Sequence, residues 1–173
     1  MTIQICGMSP NRKKMDLKGE TWGLPWDPYS YRYSIWFEMH DRSLWEKRGP
    51  DYLKLLQNAD VPIYMQQEYE DIPNSVQFPL GEVDYYSSSI AYMLDMAIRQ
   101  LPERLEVWGV DNHPGDEWAD ERPCNEFWLG YAKASGIDVW VHPESSLLKP
   151  TLTNKFNDQV VNYTERYGWL GEI

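Results

Sequence analysis

The reactive side chains of this chain are few: three histidines, a run of three serines, and carboxylates beside them. His40 stands between Glu38 and Asp41, and His142 precedes Pro143. Imidazole is the side chain best suited to take or give a proton near neutral pH. His40 and His142 are therefore the candidate catalytic residues, each with a plainer reading as a salt-bridged corner or a loop residue. Ser87-Ser88-Ser89 opens a helical pattern. Hydroxyls and N–H groups at a helix N-terminus attract an anion, and a serine there also serves as a simple cap. Gly7-Met8-Ser9-Pro10-Asn11 is a turn cluster. Gly7 would let the backbone approach a ligand closely, and Ser9 and Asn11 can donate to phosphate or ribose. Gly109 and Asp111 close a strand, and Asp111 can accept from ribose hydroxyls or a base amine. The candidate ligand-binding residues are Gly7, Ser9, Asn11, Glu38, Ser87, Ser88, Gly109 and Asp111.

Several chemistries are disfavoured. Histidine and carboxylate suit a metal, and His142 or His113 could join Glu38, His40 and Asp41. Glu38 and His40 share a strand face while Asp41 points elsewhere, so no metal site is expected. A Ser–His–Asp hydrolase lacks its GxSxG elbow. The first loop is neither GxGxxG nor a P-loop. No cofactor is predicted. Trp22, Trp26, Tyr29, Tyr31 and Tyr33 gather in and near one loop, where they can stack on a base or pack the loop onto the core.

The elements that must position these residues follow from pattern. Thr2–Gly7 is β-branched and runs into turn residues, which reads as a strand. Glu20–Leu24 is a second short strand, and Ser34–Met39 a third, buried on both faces. A helix spans about Pro50–Asn58, with Tyr52, Leu55, Leu56 and Ala59 at helical spacing. Val61–Met65 is a strand, and Val76–Phe78 a short extended piece. Ile90, Met93, Leu94, Ala97 and Leu101 stripe the longest clear helix. Arg104–Trp108 is the next strand. Pro123 suits a first helical turn, and Gly136 closes the helix that follows. Ile137–Val141 is the last strand. Ser145–Ile173 is polar and expected to be partly helical. Strands alternating with helices predict a single α/β, Rossmann-like domain over residues 1–173, with a mostly parallel sheet and helices on both faces. Such sheets bind ligands outside the carboxyl ends of their strands, where the candidate residues collect.

Composition sets the bounds. At 173 residues, with 42% hydrophobic and 25% charged, the chain suits one folded core. Aromatic content is high at 14%, with nine tryptophans. Since tryptophan is seldom fully buried, some of these rings are expected at the surface. The net charge of −11 argues against a nucleic-acid duplex, which requires basic groups to release phosphate counterions. Arg12-Lys13-Lys14 is the one basic run, and its plain reading is a solvated loop. The isolated Cys6 and Cys124 form neither a disulfide framework nor a zinc pattern, so a reducing compartment, the cytoplasm, is expected. Met1–Gly7 is too short for a signal peptide. No apolar stretch reaches the ~20 residues of a membrane helix.

Five stretches resemble a group of small bacteriophage proteins: Trp36–Asp41, Tyr86–Leu94, Val107–Asp111, Glu121–Gly130 and Pro143–Leu148. That group is distantly similar to the Rossmann-like domain of bacterial CMP-sialic-acid sialyltransferases and the DUF115-type proteins related to them. The resemblance implies a nucleotide site lined by Gly7, Ser9, Asn11, Ser87, Ser88, Gly109 and Asp111, and a protein working in the host-cell cytoplasm. The loop at Gly7 lacks the second glycine of those relatives, and the serine run lacks the glycine that follows. Nucleotide binding is thus the better expectation than glycosyl transfer. The expected function is binding of a nucleotide or nucleotide-derived small molecule, with sequestration as one use of it. The alternatives are a nucleotide-sugar-dependent transferase or nucleotide-modifying enzyme, and an acidic protein that binds a host protein. A homodimer is plausible, since two-fold dimers are the commonest assembly.

Overall fold

The computed structural model describes residues 1–112 and 120–149, together with the backbone of Thr151–Asn154 and Gln159–Asn162. Seven parallel strands form one sheet: β1 (Thr2–Cys6), β2 (Glu20–Gly23), β3 (Ile35–Glu38), β4 (Ile63–Met65), β5 (Ser75–Gln77), β6 (Arg104–Trp108) and β7 (Asp138–Val141). Four helices accompany them: α1 (Arg42–Trp45), α2 (Pro50–Gln57), α3 (Ser89–Arg99) and α4 (Arg122–Ala134). The spatial order is β5-β4-β3-β2-β1-β6-β7. The chain first steps outward from β1 to β5, then returns across the sheet to place β6 on the other side of β1. This reversal marks a switch point between β1 and β6, where loops from the two halves part and leave a crevice.

Alternation along the strands separates two cores. Ile3 and Ile5 of β1, Trp22 of β2, Phe37 of β3, and Leu105 and Val107 of β6 face α3 and α4. They meet Ile90, Met93, Leu94 and Ala97 of α3, and Trp128, Leu129 and Ala132 of α4. The opposite face presents Cys6, Trp36, Ile63 and Met65 to Trp45 of α1 and to Tyr52 and Leu56 of α2. A period of two on the strands and 3.6 on the helices is what allows both faces to be covered. Two cores also hold more rings than one. Trp22, Trp45 and Trp128 are fully buried, and the exposed large aromatics among the described residues are Tyr31, Tyr85, Phe127 and Tyr131. Trp26, Trp108 and Trp140 are half-buried, and Trp118 and Trp169 lie outside the described residues.

The end of the chain also differs from expectation. Ser145, Ser146 and Leu147 are buried, and Leu147 joins the α3/α4 core. Further on, Thr151–Asn154 (β8) and Gln159–Asn162 (β9) pair antiparallel where partial helix was expected. Thr151, Thr153, Val160 and Val161 are β-branched and prefer an extended backbone. The rest of that segment, and His113, lie outside the described residues. Among the described residues, no helix is long and apolar enough to cross a membrane.

Candidate functional site

A cleft of about 910 Å³ opens at the carboxyl edge of the sheet, beside the switch point. One wall is the β1 loop, Gly7 to Pro10, and the β6 loop, Gly109 to Asn112. A second is the start of α3, with Ser87, Ser88 and Ser89. A third comes from the ends of β2 and β3 and the turn before α2, which contribute Trp26, His40 and Arg48. Leu24, Met39, Ile90 and Val110 give it an apolar floor. A mostly apolar concavity with a few convergent polar groups is the usual form of a small-molecule site.

The two glycines in the first wall answer to each other. A Cβ on Gly7 would lie 2.5 Å from the carbonyl oxygen of Gly109, and a Cβ on Gly109 would lie 2.5 Å from that of Gly7. Gly109 also has φ +64, which disfavours any side chain. Gly7 was expected to admit a ligand closely. Its tight neighbour is instead the opposing loop. The interlock is completed by hydrogen bonds: Gly7 N–H to Trp108 O at 2.8 Å, and Ser9 N–H to Gly109 O at 2.7 Å. Buried Asn11 adds another, its Oδ1 accepting from Gly109 N–H at 2.6 Å. Asn11 therefore staples the β1 loop to the β6 loop and does not line the cleft. Asn11→Ala should cost about 1–3 kcal/mol by leaving a buried N–H without its acceptor. Urea denaturation reads that loss, and an unchanged midpoint would mean that the staple is dispensable.

At the second wall, Ser88 is the N-cap of α3. Its Oγ accepts from Ala91 N–H at 3.3 Å and bonds Asn125 Oδ1 at 3.1 Å. Asn125 is fully buried, and its Nδ2 donates to Asn112 Oδ1 at 2.8 Å. Cap, α4 and β6 loop thus form one polar chain, and the plain reading of Ser88 holds alongside its place on the wall. The hydroxyls of Ser9, Ser87 and Ser89 line the cleft, and no side-chain hydrogen bond engages them among the described residues. Asp111 lines it too, with Oδ1 accepting from Ser146 N–H at 2.8 Å. Sequence reasoning missed Tyr86 and Tyr92, which stack at 4.1 Å and 7° on the cleft wall. Of the aromatic loop, Trp26 alone faces the cleft; Trp22 and Tyr33 are buried in the two cores.

The two candidate histidines part company. His142 is 8% exposed and packs against Trp108 and Trp140, at 5.1 and 5.8 Å. Its Nδ1 accepts from Glu144 N–H at 3.2 Å, and the ring lies outside the cleft. His40 is on the cleft wall. Its Nδ1 meets Glu38 Oε1 at 2.5 Å, and Glu38 is completely buried. The other carboxylate oxygen of Glu38 accepts from Tyr52 Oη. Glu38 therefore does not line the cleft; it fixes the imidazole from behind. With Nδ1 held, Nε2 is the ring nitrogen with no hydrogen-bond partner among the described residues. The hydrogen bond to Glu38 raises the pKa of His40 above its ordinary value, more than its partial burial lowers it. Burial and the Glu38 charge together push the Tyr52 hydroxyl far up, so it stays protonated as a donor.

Arg48, also missed from sequence, lies with its guanidinium 4.3 Å from the Trp26 ring centre and 5.4 Å from that of Tyr52. Trp26 is in turn 5.5 Å from His40, so one indole lies beside both side chains. The two thiols lie elsewhere: burial pushes Cys6 up to about 11, and buried Cys124 donates to the Tyr85 carbonyl at 3.2 Å. Among the described residues, no three His, Cys, Asp or Glu side chains group as a metal would require. The chain matches no known family model, no curated protein and no solved structure.

Proposed function

We propose that this cleft binds a nucleotide or a nucleotide-derived small molecule. The observation that carries the reading is its position at the β1/β6 switch point of a parallel sheet, the place where such sheets hold nucleotides. The lining suits the same ligand class. Tyr86 and Tyr92 offer aromatic surface for a base, Asp111 offers an acceptor for ribose hydroxyls, and the serines and Arg48 offer donors. In an infected cell, a phage protein of this kind would withhold such a molecule from the host by sequestering it. The chain's acidity speaks against a nucleic-acid duplex as the ligand.

A second reading, turnover of the bound molecule, is favoured by one arrangement. A buried carboxylate holding a histidine by Nδ1, with Nε2 toward a cleft, is the geometry of an acid/base catalyst. His40 would carry that role and Glu38 would position it. His142 has no part in it, being packed against Trp108 and Trp140 outside the cleft.

Thermal shift against nucleotides, cyclic nucleotides and nucleotide sugars tests the binding reading. A ligand at ~100 times its dissociation constant adds ~2.7 kcal/mol, a rise of roughly 5–10 °C for a chain of this size. Asp111→Asn and Ser87→Ala should reduce that rise. Binding that survives in His40→Ala while product formation stops would establish turnover. Silence across the whole panel would reject the nucleotide cleft and turn attention to a host protein bound through the acidic surface.

A further inference from the structure

We propose that the phosphate of the ligand sits against His40 and Arg48, at the β3 side of the cleft, and not in the Gly7–Pro10 loop. This rests on the nucleotide reading and assigns its polarity: phosphate toward β3, base toward the tyrosines of the α3 wall.

The β1 loop is a poor anion cradle because two of the three N–H groups in Gly7–Pro10 are already spent, which leaves Met8 N–H alone without an acceptor among the described residues. A glycine-rich phosphate loop works by pointing free backbone N–H groups at the anion. Here Gly7 N–H is bonded to Trp108 O and Ser9 N–H to Gly109 O, and Pro10 has no N–H. The Gly109 N–H across from them is held by Asn11. Arg12, which follows the loop, is turned back onto it: its guanidinium bonds Ser9 O at 3.1 Å and pairs with Asp27 at 3.0 Å.

The opposite end is different in each respect. Arg12, Arg42, Arg99, Arg104 and Arg122 each pair with a carboxylate. Arg48 and Arg32 pair with none among the described residues, in a chain of 27 acidic and 16 basic side chains, and of the two it is Arg48 that lines the cleft. It is held by stacking on Trp26 and Tyr52, which fixes the guanidinium plane and leaves its N–H donors unspent. His40 stands beside the same indole with Nδ1 committed to Glu38, so in the protonated ring Nε2–H is a second donor on the cleft wall. A planar fork and a charged N–H beside one indole suit a phosphate oxygen pair. The groups acting on His40 are Glu38 from β3, Arg48 from the turn before α2, and Glu121 from the start of α4. The two carboxylates favour its charged form, and Arg48 opposes it. A bound phosphate adds a further negative charge, so binding takes up a proton and weakens as pH rises through the His40 pKa.

The test uses the full chain and isothermal titration with the four nucleoside 5′-monophosphates, their parent nucleosides and inorganic pyrophosphate, at pH 6 and pH 8. Charge-assisted contacts of this type predict that the preferred monophosphate binds about 10- to 100-fold tighter than its nucleoside. Arg48→Ala should erase that ratio without touching nucleoside affinity, Arg48→Lys should restore part of it, and the ratio should be smaller at pH 8. Pyrophosphate should shift the His40 ring resonances in the parent and not in Arg48→Ala. A nucleoside that binds as tightly as its monophosphate, or a ratio that survives Arg48→Ala, overturns the phosphate assignment and leaves the nucleotide cleft standing. Absence of binding by every nucleoside and nucleotide, with a His40 response to pyrophosphate, rejects the nucleotide reading and keeps the anion site. Absence of both rejects both.

Discussion

Gly109→Ala should cost about 3–5 kcal/mol, a large part of the stability that holds a domain of this size folded. Two penalties coincide at this position. With φ +64 the backbone disfavours a side chain, and the new methyl would stand 2.5 Å from Gly7 O and 2.9 Å from Arg12 Cβ. Backbone that is itself pinned by the β1–β6 ladder cannot step aside. Gly130→Ala is the matched control. It lies inside α4 with nothing within 4 Å of the added carbon, so it should stabilise by about 0.5–1 kcal/mol. Urea midpoints at constant slope measure both. If Gly109→Ala unfolds with the parent, the two loops do not interlock as described.

Glu38→Ala should likewise cost about 3–5 kcal/mol, the usual result of removing one partner from a buried charged network. It strands the Tyr52 hydroxyl in the core and releases the His40 ring. Replacing the network as a whole should be far gentler: Glu38→Met with Tyr52→Phe fills the same space without orphaned polar groups. The pair also separates stability from charge. His40 binds its proton more tightly in the folded chain than at its ordinary value of 6.5. That contribution is fully present below pH 6.5 and is lost as pH rises through the raised folded value. The double variant should lose this pH-dependent segment while keeping most of the parent's stability at pH 8. Stability-versus-pH curves decide it, and identical slopes in parent and double variant would remove the His40–Glu38 coupling.

Most of the fold was legible because its signals are local. Short apolar runs ending in turn or polar residues gave β1, β3, β4 and β6 within a residue or two. The stripe from Ile90 to Ala97 gave α3, and Pro123 and Gly136 bracketed α4. The fully parallel sheet and its order could not be read from any one segment, since pairing depends on contacts between distant strands. The site was half legible for the same reason. Glycines, serines and Asp111 announce themselves by type at strand ends. Arg48 carries no such mark: it sits in an exposed turn and acquires its position only by stacking on Trp26, twenty-two residues earlier in the numbering. His40 and His142 look alike in sequence, each flanked by a strand and an acidic residue. What divides them is the neighbour behind the ring, Glu38 in one case and the Trp108/Trp140 pair in the other.

The return of the chain from β5 to β6 also sets an order of events during synthesis. β1 leaves the ribosome well before β6, and one of its two edges has no partner until Arg104–Trp108 has been made. The bond from Asn11 to Gly109 spans 98 positions, so the β1 loop cannot close before that stretch emerges. Until then β1 to β5 form a half-sheet with an open hydrogen-bonding edge and an apolar face still awaiting α4. Contacts of such long sequence separation slow folding and expose edges to wrong pairing. A nascent chain stalled short of Trp108 should therefore be sensitive to protease and bind chaperones, and protection should arrive late, together with the cleft.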